Sequence, residues 1–232
     1  MAEWVPKTAL GRMVLNGQIT SFDQVIEKNL KILEPEIINI LVPDLSDEVL
    51  EITSTQRMTA YGRKQKMRAV IILGNKNGFI GVGVGKGVES KDAIEKALQG
   101  AKMHLMRIPL GCGSWECGCG LQHSIPLQVH GSNGSTQITI KPAPRGVGIV
   151  AGETARKVLD FAGIKDCWTF SKGRTRNVLN AVLATVNALN SLNQLKKGVH
   201  VQEAPAAASG PGPIPDSTIA SDSVKENGEN TK

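Results

Sequence analysis

The stretch at residues 57–87, RMTAYGRKQKMRAVIILGNKNGFIGVGVGKG, restricts the fold of this chain more than any other. It is basic at its start and glycine-rich at its end. Between them, Ala69, Val70, Ile71, Ile72 and Leu73 form an apolar, largely β-branched run bounded by Gly74, the length and character of a buried strand. Asn77-Gly78 predicts a hairpin turn, because that dipeptide accepts the positive φ that tight hairpins need. The chain then returns through Phe79-Ile80-Gly81-Val82-Gly83-Val84-Gly85, a second strand whose alternate positions carry no side chain. Something must come close to that bare face. A nucleotide, a helix of the same chain and an RNA backbone are the three occupants to weigh. The nucleotide fits worst: a G-x-G-x-x-G spacing from Gly81 or Gly83 meets Lys86 or Val88, and Gly85-Lys86 is followed by Gly87 rather than Ser or Thr. Close approach of RNA, aided by Lys86 and by free amides at a helix start near Ser90, is the expectation.

Charge supports a polyanionic partner. Residues 52–202 hold twenty-one Lys and Arg against seven Asp and Glu, whereas residues 23–51 hold eight acids against two bases. Solubility needs far less excess than the first segment carries, and a sequence-independent polyanion explains it better. Arg57, Arg63, Lys64, Lys66 and Arg68 cluster with no carboxylate between Arg57 and Val88, and strand alternation puts Lys64, Lys66 and Arg68 on one face. Lys172, Arg174 and Arg176 repeat the pattern at the start of a predicted helix. Cations there oppose the helix dipole unless an anion is bound. Aromatic content of 3% leaves little material for a platform of stacked rings. The first thirty residues have no long apolar core and no run is long enough to span a bilayer, which predicts an intracellular protein with reduced cysteines.

Along the chain, Ser21 and Gln24 fit a capping box that opens a short helix ending before Pro35. Residues 37–41 are apolar and of undetermined type. A strand is predicted over about 49–59, and a turn carrying Tyr61, Gly62, Arg63 and Lys64 returns the chain into the apolar run. Ser90 caps a helix with Ala93, Ile94, Ala97, Leu98, Ala101 and Leu105 on one face. A second hairpin spans 129–140, broken at Gly131-Ser132-Asn133-Gly134. Pro142-Ala143-Pro144-Arg145-Gly146 is a rigid turn leading to a helix near Glu153 that stops at Gly163. A brief strand at 167–170 and a long helix from Thr175 follow. The Ala, Pro, Gly and Ser content past residue 202 predicts a disordered tail.

Cys112, Cys117, Cys119 and His123 supply four zinc-type ligands in a glycine-rich stretch. The spacing is not the usual pair of two-residue knuckles. A structural zinc site, a set of reduced thiols and a redox-dependent pair all remain open. The histidines and acids show no spacing of a nucleophile and base, so an enzyme has little support.

Taken together, the segments QRMTAYGRKQKMRAVIILGNKNGFIGVGVGKG, GCGSWECGCGLQHSIP, IKPAPRGVGIV, LDFAGIKDCW and GRTRNVLNAV resemble the family of the fifth universal protein of the small ribosomal subunit, in its archaeal form. The resemblance runs over residues 19–195. It implies an α+β chain of two small domains: an antiparallel sheet with a helix, like a double-stranded-RNA-binding domain, at 49–107, and a β-α-β-α domain at 125–198. A helical extension at 1–48, a Cys-rich linker or insert at 108–124 and a tail at 199–232 complete the organisation. The expected function is that of a cytoplasmic ribosomal protein, without a required cofactor, that binds small-subunit ribosomal RNA. The family's place near the central pseudoknot and the messenger entry side implies contacts with neighbouring proteins four and eight and a part in decoding fidelity. The RNA-facing residues expected are Arg57, Tyr61, Arg63, Lys64, Lys66, Arg68, Lys76, Gly81, Gly83, Gly85 and Lys86 in the first domain. Lys141, Arg145, Lys172, Arg174 and Arg176 are those expected in the second. A small-molecule kinase, sharing the second domain's fold and using the PAPRGVG loop, is the alternative.

Overall fold

Three short helices, α1 (Ala9–Leu15), α2 (Phe22–Glu27) and α3 (Glu36–Leu41), precede the first sheet in the computed structural model, which describes residues 4–194. The predicted tail at 199–232 falls outside the described residues. The helix α1 was not expected; Thr8 caps it by accepting the Gly11 N–H at 3.1 Å. The Ser21 hydroxyl makes no cap bond, and Gln24 instead accepts the Thr20 N–H, so the capping box is incomplete and α2 ends at Glu27, well before Pro35. Leu10, Val14, Ile19, Val25 and Ile37 bury one another in a small core within this extension. Phe22 then meets Phe79 edge-on at 5.4 Å, and Asp23 pairs with Arg107 at 2.6 Å, which fastens the extension to the first sheet.

That sheet has the order β1-β2-β3-β4, all antiparallel, from β1 (Ser46–Thr59), β2 (Gly62–Gly74), β3 (Phe79–Gly87) and β4 (Met106–Arg107). The apolar run 69–73 is the fully buried end of β2, whereas Arg63 and Lys64 lie within that strand rather than in the turn. The β2–β3 turn is where Asn77-Gly78 places it, but Lys76 and Gly78 take the positive φ. Asn75 makes this workable: its Oδ1 accepts the Asn77 and Phe79 N–H groups at 2.8 and 3.1 Å. Glu89, not Ser90, occupies the N-cap position of helix α4 (Ser90–Met103) and makes no side-chain cap bond; the helix lies on one face of the sheet with Ala93, Ala97 and Ala101 innermost.

The second sheet has the order β5-β6-β8-β7, from β5 (Val129–Asn133), β6 (Thr136–Pro142), β7 (Ile149–Val150) and β8 (Cys167–Lys172). Only β7 and β8 are parallel, and α5 (Glu153–Phe161) crosses between them. Gly163 stops α5 as expected: it takes φ 84°, its N–H bonds to the Asp160 carbonyl, and the Ile164 N–H bonds to that of Leu159. The break in the hairpin narrows to Gly134 and Ser135, and Gly131 is a strand residue. Helix α6 (Val178–Asn193) begins three residues later than expected, and β8 runs two residues longer. Within α6, Ala181, Ala184 and Ala188 are buried beside Val182, Leu189 and Leu192, while Leu179 and Leu183 stay half-buried.

One core joins the two sheets. Ile72 and Ile80 of the first pack with Ile138 and Ile140 of the second, with Val158 and Leu159 of α5, and with Val182 and Leu189 of α6. No helix among the described residues is long and apolar enough to cross a membrane.

Candidate nucleic-acid interface and metal centre

The face of β3 that lacks side chains is filled by α4. A β-carbon at Gly83 would fall on the Ala97 carbonyl and the Ala101 amide, one at Gly85 on the Ala93 carbonyl and Ala97 amide, and one at Gly81 on the Ala101 carbonyl. The expectation that Gly81, Gly83 and Gly85 present a bare surface to RNA is therefore corrected. Their role is to let a helix backbone reach the sheet, which any larger residue would prevent.

Sheet register places the basic residues on the opposite face. Directly paired residues of antiparallel strands point the same way, and Arg57 pairs with Lys64, Thr55 with Lys66, and Arg68 with Lys86. Gly85, the neighbour of Lys86, faces α4, so Arg57, Lys64, Lys66, Arg68 and Lys86 share the face turned away from it. None of the five forms an ion pair among the described residues, and the buried Nε of Arg68 has no hydrogen-bond partner. Tyr61 is fully exposed at the β1–β2 turn, and Arg63, opposite Met58, points to the α4 side. Lys76 stands apart. Its ammonium pairs with Asp160 at 3.4 Å and lies 5.8 Å from the Phe161 ring, so its charge is already engaged in joining the β2–β3 turn to α5.

Around the second sheet, Lys141, Trp168, Phe170 and Lys172 alternate onto the face away from the helices, with the Lys141 ammonium 5.1 Å above the Phe170 ring. The period-2 pattern of Trp168, Phe170 and Lys172 was the signal for this aromatic face, which was not anticipated. Arg174 and Arg176 lie exposed in the turn before α6, whose cap residue Asn177 makes no side-chain bond to the first amides. Arg145 is exposed on the 142–148 loop.

Cys112, Cys117, Cys119 and His123 converge: their ligand atoms all lie within 4.8 Å of one another. The sulfurs of Cys117 and Cys119 are 3.1 Å apart, those of Cys119 and Cys112 3.6 Å, and the Cys117 sulfur is 3.7 Å from His123 Nε2. A tetrahedral zinc with Zn–S of about 2.3 Å needs edges of roughly 3.8 Å, so the donor set fits that ion. The insert is closed at its base by paired backbone bonds between Gly111 and Ser124, both 2.8 Å. Burial, then contacts with Cys119 and Cys117, push the Cys112 thiol up to about 11. The Cys117 thiol is lowered to about 6, first by a backbone hydrogen bond from Arg145 and then by Cys119. Cys167, buried in the core at the start of β8, is pushed up to about 12 by desolvation and by Asp166, and stays a neutral core residue.

Behind the four ligands stands Asp166, which sequence spacing did not reveal. Its Oδ2 meets His123 Nδ1 at 2.8 Å, and its Oδ1 accepts the Gly146 and Gly148 N–H groups at 3.0 and 2.8 Å. Burial raises its pKa, but those bonds and the His123 charge outweigh it, and the carboxyl sits below its ordinary value. The same bonds remove the kinase alternative's main feature, since the Gly146 and Gly148 amides are turned to the chain's own carboxylate and not to a nucleotide phosphate.

Comparison with known proteins agrees with both halves. Residues 45–109 match the family described as ribosomal protein S5, N-terminal domain, and residues 131–203 match ribosomal protein S5, C-terminal domain. The chain is 54% identical to small ribosomal subunit protein uS5 of Methanoregula boonei over 197 residues, 85% of this chain and 96% of that protein. It is 53% identical to the uS5 of Methanocaldococcus jannaschii over 191 residues, 82% and 88% of the two chains. For Ignicoccus hospitalis uS5 the identity is 51% over 187 residues, 81% and 89%. With both domains matched and half of the residues shared across most of its length, the chain belongs to the ribosomal protein S5 family.

Proposed function

We propose that this protein is a structural, non-enzymatic component of the small ribosomal subunit that binds ribosomal RNA through backbone contacts. The single observation that carries the reading is the face holding Arg57, Lys64, Lys66, Arg68 and Lys86, five cations without an ion pair among the described residues. Such a face suits a row of phosphates and reads no sequence. Tyr61 extends it at the hairpin tip, and Arg63 adds a cation on the other side of the same hairpin. Lys141, Arg145, Lys172, Arg174 and Arg176 supply a second set of contacts, and the uncapped first turn of α6 suits a phosphate beside Arg174 and Arg176. Family membership supports a place in the cytoplasmic ribosome near the central pseudoknot and the messenger entry side. Proteins four and eight are its neighbours there, and decoding fidelity is the process served. The Cys112, Cys117, Cys119 and His123 cluster holds a structural zinc ion, because its donors span the edges of a tetrahedral site.

Co-sedimentation with small subunits at low and high salt tests the assignment. Replacing Lys64, Lys66 and Arg68 with Ala is expected to flatten the salt dependence of binding to small-subunit ribosomal RNA by roughly one unit of slope per lost phosphate contact. An unchanged slope would remove that face from the interface.

A further inference from the structure

The cysteine insert and the 142–148 loop are far apart in sequence, yet one chain of hydrogen bonds connects them. His123 turns Nε2 toward the cysteine sulfurs and Nδ1 toward Asp166 Oδ2, the arrangement in which a carboxylate fixes the tautomer and orientation of a metal-binding imidazole. Asp166 uses its other oxygen to hold the Gly146 and Gly148 amides. The loop is thus held at two near-consecutive amides by the carboxylate behind the histidine. Ser124, next to His123, adds a bond to the Asp166 carbonyl and accepts the Ala143 N–H at 3.4 Å. His123 and Asp166 are both buried, so water does not compete for the bond between them, while the bonds to Gly146 and Gly148 are partly buried. By contrast the side chain of Arg145, at the apex, is exposed.

We propose that a zinc ion bound by Cys112, Cys117, Cys119 and His123 sets the conformation of the 142–148 loop, through His123 and Asp166, and thereby positions Arg145 for RNA phosphate. The metal's role in RNA binding is then indirect. It neutralises the thiolates, draws His123 Nε2 to itself, and leaves Nδ1–H to hold Asp166 in place. The proposal rests on the RNA-binding reading only in its last step.

Native mass spectrometry of reduced protein, loaded with zinc and then chelated, measures binding directly, and one zinc per chain is expected. An apo mass alone would overturn the proposal. Hydrogen exchange at Gly146 and Gly148 then tests the coupling: both amides should exchange at least tenfold faster after chelation, while the buried β2 amides at Ile71 and Ile72 stay protected. Equal exchange with and without zinc would overturn it. Asp166→Ala should bind zinc roughly ten- to a hundredfold more weakly and free the same two amides. Should that variant not fold, Asp166→Asn, which keeps the shape and loses the charge, should still weaken zinc binding. Finally, chelation should weaken binding to small-subunit ribosomal RNA in the wild type and have little further effect in Arg145→Ala. An undiminished effect of chelation in that variant would overturn the role of Arg145. Loss of RNA binding by the Lys64, Lys66 and Arg68 variant with zinc and exchange unchanged separates this proposal from the broader one.

Discussion

The two sheets use the same device to seat a helix and then diverge on their other faces. Under α4, the glycines 81, 83 and 85 meet Ala93, Ala97 and Ala101, so helix and strand backbones touch along a whole strand. Under α6, Gly131 alone meets Ala184 and Ala188, and Val129, Ile138 and Ile140 fill the rest of the gap with large side chains. The buried cluster between α4 and its sheet is built on small residues, Ala69, Ile71, Ala93 and Ala97, and continues through Leu73, Ala101 and Leu105 to Phe22, Ile38 and Val42 of the N-terminal extension. The second module sits in a core of Ile, Leu and Val to which the first lends Ile72 and Ile80. Close backbone contact buries little apolar area per residue, so the first module leans on its neighbour for stability. Its face away from α4 is therefore divided, with Ile72 and Ile80 at one end packed on the second module and five cations at the other, whereas the second module's far face is aromatic and the cysteine cluster lies against Asp166 at the start of β8.

The largest expected effect comes from breaking the shared device. Gly83→Ala places a methyl on the Ala97 carbonyl and should cost about 3 kcal/mol, the upper part of the overpacking range. Gly131→Ala should cost nearly as much, since Ala184 and Ala188 stand equally close. Urea denaturation followed by circular dichroism measures both. A neutral Gly131→Ala beside a damaging Gly83→Ala would mean that the resemblance between the two helix seats is superficial.

The cationic difference is tested next. Removing Arg174 and Arg176 should flatten the salt dependence of RNA binding by roughly two units of slope, against roughly three for Lys64, Lys66 and Arg68. Equal loss of affinity with no change in slope would point to folding rather than phosphate contact. A smaller effect separates the thiols. In zinc-free reduced protein at pH 7, Cys117, lowered to about 6, is mostly thiolate and should react first with iodoacetamide, while Cys112, raised to about 11, lags. Peptide mass spectrometry reads the order, and Cys112 reacting first would contradict this division of the thiols.

Much of this architecture was legible because it is local. The 69–73 run, the turn near Gly78, the stop at Gly163 and the inner face of α4 follow from periodicity and turn chemistry within a few residues. The meaning of the β3 glycines was missed although its complement was present: Ala93, Ala97 and Ala101 repeat every four residues, a smooth helix stripe suited to a smooth strand. Both rows of small residues had to be considered together. The cysteine cluster was legible as a set of ligands, but Asp166 was not, because it lies 43 residues from His123 and no spacing rule connects them. Likewise Lys76 looked like another member of a basic run until the fold placed Asp160 beside it.

The smallest effect concerns one of the polar contacts between the modules. Glu48 of β1 and Lys157 of α5 pair at 2.8 Å with both side chains partly exposed. The hydrogen bond to Glu48, and then its charge, raise the Lys157 pKa above its ordinary value. A raised folded-state value means that the pair's contribution is present below the ordinary lysine range and is lost as pH rises through the raised value. Glu48→Gln should therefore lower Tm slightly at neutral pH and low salt. Because exposed pairs are screened, the difference should vanish in about 1 M salt, and it should also shrink in strongly alkaline buffer. The shared apolar core makes the same prediction from the other side: if Ile72 and Ile80 hold the modules together, a polar pair at the rim can be removed with little consequence. A loss as large as that of Gly83→Ala would reverse this ranking and make the charge pair, not the core, the junction between the two sheets.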